Sequence, residues 1–84
     1  MTDIEYDILD ELYFVTPYSE LQEQTGFEDG ELKLNLSSLI KGGLVKVYRT
    51  IDEELESEEA GLSDNYRSYY YLASKKGLFE HNQR

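Results

Sequence analysis

Eighty-four residues allow one domain, and a chain this short buries only about 60 to 65% of its unfolded surface, which excludes a large enclosed active site. The absence of cysteine removes disulfides, thiolate chemistry and thiolate-ligated zinc, while a net charge of −10 opposes nonspecific binding to nucleic acid, because an acidic surface forfeits counterion release. No apolar stretch is long enough for a leader or a membrane span, so the expectation is a soluble cytoplasmic protein, residues 1–84 forming a single domain with no membrane partner.

In chain order, Thr2 followed by Glu5 is a capping-box pattern, and Asp3 and Glu5 suit the positive end of a first helix. Its apolar positions are Ile4, Ile8, Leu9, Leu12 and Val15, and Pro17 sets its end near Thr16, the residue before proline being biased out of the helical region. Thr16 can then cap a second helix with Pro17 in its first turn and Leu21 pointing inward. Gly26 closes that helix as a left-handed C-cap, and Phe27 drops into the core behind it.

Asp29 or Glu28 caps a third helix that runs to about Lys41 and stops at Gly42 and Gly43. Leu32, Leu36, Leu39 and Ile40 recur at helical spacing and form its buried stripe; Lys33, Asn35, Ser37, Ser38 and Lys41 lie off it. From Leu44 the period changes to two, with Val45 and Val47 alternating with Lys46 and Tyr48 as a half-buried strand requires. Residues 52–66 are rich in acids and read as a solvated loop, and Arg67 to Ala73 reads as a second strand, the two strands forming a hairpin. Ser74 then caps a short terminal helix or turn through about Glu80, with the last four residues fraying. The fold class is α+β, a three-helix core followed by a two-stranded hairpin and a short C-terminal helix.

Charge along this chain is segregated. Residues 1–31 hold ten acids and no base, residues 32–51 hold four bases and no acid, and residues 52–64 hold seven acids and no base. Two basic segments, the second containing Arg67, Lys75 and Lys76, therefore flank an acidic loop. That loop is either a solubilising tip or a contact for a basic partner, and Arg49 and Arg67 at its base are either phosphate contacts or internal partners of its acids. His81 stands alone near the end of the chain, and no nucleophile, base and orienting group occur together, so neither an enzyme nor a metal or cofactor site is expected.

The order of elements and several short patterns resemble winged helix-turn-helix transcriptional regulators of the multidrug-resistance and arsenic-repressor type. The resemblance rests on Glu20-Leu21 with Gly26 five residues after the leucine, on Leu36, Leu39, Gly43, Leu44 and Val45 in register after it, and on Tyr71, Ala73, Ser74 and Gly77 beyond the loop. It implies DNA binding, with the third helix in a major groove and the hairpin, with residues 52–66 as an acidic wing loop, near flanking phosphates. Carried over, Gly30, Glu31, Lys33, Leu34 and Asn35 face bases and Ser37, Ser38 and Lys41 follow on the same side. Tyr18 and Ser19 resemble a backbone-contacting helix start, and Lys46, Arg49 and Arg67 belong to the basic strand pair. Asn35 suits adenine, and Lys33 a guanine edge or a phosphate. The alternative is a protein-binding module that uses Leu34, the tyrosines or the acidic wing; a homodimer fits either reading.

Overall fold

A computed structural model of the chain describes residues 1–56 and 65–83. Among the described residues it is an α+β fold with four α-helices and a four-stranded antiparallel sheet. The capping box forms as expected: the Thr2 backbone N–H donates to Glu5 Oε1 (2.8 Å) and the Glu5 N–H to Thr2 Oγ1 (3.1 Å). Helix α1 (Asp3–Asp10) nevertheless ends well before Thr16. The amides of Glu11 and Leu12 turn back to the Ile8 and Leu9 carbonyls, and the Leu12 carbonyl then accepts from Ala73 N–H (2.9 Å), a bond that requires the chain to leave the helix.

Thr16–Pro17 is a short strand, β1, rather than a cap and first helical residue. Thr16 pairs with Tyr71 and Pro17 with Tyr70, and Thr16 Oγ1 donates to the Phe14 carbonyl (2.7 Å). Helix α2 (Tyr18–Thr25) follows with Pro17 as its N-cap and no side-chain cap bond. Proline's missing donor is as well suited to a sheet edge as to a helix start. Leu21 is buried, Gly26 ends α2 in the left-handed conformation (φ 74°) and Phe27 packs partly against the core.

Helix α3 (Asp29–Lys41) buries Leu32, Leu36, Leu39 and Ile40. Glu28, not Asp29, occupies the N-cap position, without a side-chain bond. Asp29 is drawn away to a set of tertiary partners described below. At the other end Gly43 adopts φ 75°, and the amides of Gly43 and Leu44 reach back to the carbonyls of Ile40 and Leu39, which is the Schellman arrangement.

The sheet has the order β1-β4-β2-β3, with β2 at Val45–Thr50, β3 at Glu53–Leu55 and β4 at Tyr70–Ala73. The expected two-stranded hairpin is thus the centre of a wider sheet. Part of the expected solvated loop is strand β3, whose Leu55 is buried opposite Val47, and Tyr66 at the other end is buried too. Residues 57–64 of that loop lie outside the described residues. The expected second strand is shorter at its start, because Tyr66–Ser68 form a 3₁₀ turn. Helix α4 (Lys75–Asn82) is capped by Ser74, whose Oγ accepts from Gly77 N–H (3.0 Å) and donates to the Gly43 carbonyl (2.6 Å).

His81 does not fray. It is buried, stacked on Tyr6 (ring centroids 4.3 Å), with Nε2 3.1 Å from Asp10 Oδ1 and Nδ1 3.1 Å from the Tyr13 hydroxyl. These contacts clasp α4 to α1. No helix among the described residues is long and apolar enough to cross a membrane.

Candidate interaction face of the third helix

Helix α3 advances 100° per residue, so the residues opposite its leucine stripe can be placed directly. Leu34 and Lys41 stand there, exposed, with exposed Gly30, Glu31 and Ser38 around them and half-buried Lys33, Asn35 and Ser37 on the flanks. Leu34 is 71% exposed. Two of the polar candidates have partners within the fold: Asn35 Nδ2 donates to the Glu31 carbonyl of the same helix (2.8 Å), and Ser38 Oγ donates to Glu5 Oε2 of α1 (3.2 Å). Ser19 is exposed at the start of α2.

The cations expected beside this face are distributed among acids. Arg49 Nη1 lies 2.9 Å from Glu53 Oε2, and Lys46 Nζ lies 3.9 Å from Glu54 Oε1. Arg67 makes a forked contact with Asp29 through Nε (3.1 Å) and Nη2 (2.6 Å). Of the two roles open to Arg49 and Arg67 in the sequence, the geometry gives both an internal carboxylate, one from β3 and one from the start of α3. Lys33 Nζ sits 4.7 Å from the centre of the Tyr66 ring, and the Arg67 guanidinium carbon 5.0 Å from the same ring. Lys41 has no carboxylate partner among the described residues.

Asp29 is the centre of the most connected polar group. Its carboxylate accepts from the Tyr18 hydroxyl (2.5 Å), the Tyr66 hydroxyl (2.5 Å) and both Arg67 nitrogens, at a helix N-terminus that itself favours negative charge. The bonds from Arg67, Tyr18 and Tyr66 hold its carboxyl well below the usual carboxylate range. Burial first, and then the bond to Asp29, pushes the Tyr18 phenol up; the bond to Asp29 does the same to Tyr66. Tyr18, a candidate backbone contact, is almost fully buried and spends its hydroxyl here. The group ties α2, α3 and the turn before β4 together. Asp29 was visible in the sequence only as a capping residue, and no local signal joins it to Arg67.

A depressed carboxyl contributes stability that is present above its unfolded value, near 4, and is lost as pH falls through the lower folded value. Asp29→Asn should therefore lower the urea midpoint at pH 7 and flatten its fall below about pH 5. Equal acid limbs in the two proteins would remove Asp29 from this role.

A cavity of about 170 Å³ lies between the end of α3 and strands β2 and β3, and its apolar lining is Ile40, Val45, Val47 and Leu55. It is smaller than the roughly 300 Å³ at which ligand pockets begin. Among the described residues no group of three or more His, Cys, Asp or Glu is placed to hold a metal ion. No family model, no curated protein and no solved structure matches the chain.

Proposed function

We propose that this chain is a winged helix-turn-helix domain of the transcriptional-regulator type, and that it acts without catalysis by docking the free face of α3 on another protein. The architecture supports the first half. Helices α2 and α3 are separated by only three residues, β1 returns the start of α2 to the sheet beside β4, and β2, β3 and β4 follow α3 as a wing would. The second half is carried by one observation: the cations Lys46, Arg49 and Arg67 are each held within 4 Å of a carboxylate, so these three do not extend a basic patch beside α3. Phosphate binding draws its affinity from cations that release counterions. Even where a phosphate displaced one of these exposed pairs, the freed carboxylate would remain beside it. An exposed leucine at the middle of the free face suits an apolar contact on a protein.

A DNA reading is favoured by Lys33 and Lys41, which lie on α3 without a carboxylate partner among the described residues. Fluorescence anisotropy with a labelled random duplex at low ionic strength separates the two. The protein-docking reading expects no retention. Retention that falls steeply with salt and disappears in the Lys33→Glu, Lys41→Glu double variant would replace it with the DNA reading. On the protein side, Leu34→Asp should change unfolding free energy by no more than about 0.5 kcal/mol and lose the partner captured by the wild-type chain under cross-linking. A partner recovered equally well by both forms would exclude this face.

A further inference from the structure

The sheet has two faces of different character. Across the four strands, Thr16, Tyr71, Val47 and Leu55 are aligned by pairing and all are buried, and the last three share one core with the leucines of the helices. One residue along, the same register aligns Pro17, Tyr70, Tyr48 and Glu54, with Leu72 and Lys46 paired in the neighbouring row. Successive strand residues point to opposite sides, so this second set forms the outer face. Its apolar members are only half-buried, and none belongs to the hydrophobic core.

Charge distinguishes this face from the rest of the molecule. The chain carries −10, yet in the aligned outer rows Lys46 balances Glu54, and β1 and β4 have no charge at all. Two copies meeting through α1 or the start of α3 would bring unbalanced carboxylates together, whereas Glu54, the carboxylate of the aligned outer rows, has Lys46 beside it. The face is also self-complementary. Lys46 and Glu54 are 3.9 Å apart with side chains 44% and 50% exposed, a loose pair that can be exchanged for the same pair across an interface.

We propose that the outer sheet face is where a second copy of this chain docks, about a twofold axis, with Tyr48 and Tyr70 against their counterparts and Lys46 opposite the partner's Glu54. A twofold contact uses the same patch on both copies, which a neutral face with both signs of charge satisfies. Tyrosine suits such a surface because its ring is apolar and its hydroxyl tolerates water when the copies separate. With strands about 4.8 Å apart and about 3.3 Å per residue, the face covers roughly 300 Å². That is less than half of the ~800 Å² per partner of a standard interface, so the dimer is weak and concentration-dependent.

Sedimentation velocity over micromolar to millimolar concentrations tests this. The wild-type chain should move towards dimer as concentration rises. Tyr48→Ser with Tyr70→Ser, and separately Lys46→Glu, should remain monomeric while keeping the wild-type circular dichroism spectrum; Lys46→Glu combined with Glu54→Lys should restore the dimer. A wild-type chain that stays monomeric at millimolar concentration would overturn the proposal, as would dimers that persist in the serine and Lys46→Glu variants. Leu34 lies on α3, away from the sheet, so Leu34→Asp should dimerise normally, and its failure to do so would place the contact on α3 instead.

Discussion

Replacing Gly77 with alanine should destabilise the domain by about 3 kcal/mol or more, at the upper end of what overpacking costs. Gly77 lies in the first turn of α4, and a β-carbon built there would fall 2.1 Å from the Leu44 carbonyl oxygen, 3.1 Å from the Leu44 carbonyl carbon and 3.3 Å from Leu9 Cδ2. The nearest atoms are backbone, so no rotamer change relieves the clash. Nor can the backbone drift easily. The Leu44 carbonyl accepts from Ser74 N–H (2.9 Å), Ser74 Oγ donates to Gly43, and the Schellman turn fixes Leu44 to Leu39. Accommodating the methyl group therefore means lifting α4 from the turn between α3 and β2, which also strains the His81 clasp to α1. A domain of this size has roughly 4 to 13 kcal/mol in total, so the loss is a large fraction of it. Gly30→Ala is the control: nothing lies within 4 Å of its β-carbon, and removing a helical glycine should add up to about 1 kcal/mol. Equal urea midpoints for Gly77→Ala and wild type would show that the turn yields after all.

What the sequence disclosed and what it concealed follow the range of the interactions. The Thr2 and Glu5 box, the glycines at positive φ, the leucine stripe of α3, the alternation at Val45 and Val47 and the Ser74 cap are each decided within a few residues, and each is found in the structure. Strand β1 is decided by Tyr70 and Tyr71, more than fifty residues later, and so reads locally as a helix start. Strand β3 is hidden differently: its acids suggest a solvated loop, but three residues suffice to pair with β2 once Leu55 is buried opposite Val47. Asp29 is the instructive case. A capping aspartate has one local use for its carboxylate, and four donors, one from α2 and three from the 3₁₀ turn, outweigh it. The candidate face shows the same limit, since the exposure of Leu34 is readable from helical period whereas the neutralisation of Lys46, Arg49 and Arg67 requires the strands to be folded.

Tyr71→Ala should be the most damaging truncation in the sheet, at about 3 to 5 kcal/mol, the range for removing a large buried aromatic side chain. Tyr71 is fully buried, pairs with Thr16 on one side and Val47 on the other, and meets Tyr18 edge-on at 6.4 Å. Its hydroxyl donates to the Tyr66 carbonyl (2.7 Å), so it also sets the turn that presents Tyr66 and Arg67 to Asp29. Tyr71→Phe separates the two roles. The ring remains, the Tyr66 carbonyl keeps only its longer bond from Tyr69 N–H (3.4 Å), and the expected loss is about 1 to 2 kcal/mol. Burial pushes the Tyr71 phenol up, as it does Tyr18. A phenol raised in the folded state contributes stability fully present below its unfolded value, near 10, and lost as pH rises beyond it, so wild-type stability should fall above about pH 10 and fall less in Tyr71→Phe. The acid side reports on the turn: if the Tyr71 hydroxyl positions Arg67, the fall below about pH 5 ascribed to Asp29 should also become shallower in Tyr71→Phe, although Asp29 itself is unchanged. An alkaline limb that softens while the acid limb stays as steep as in wild type would mean that Arg67 and Asp29 hold together without help from the core.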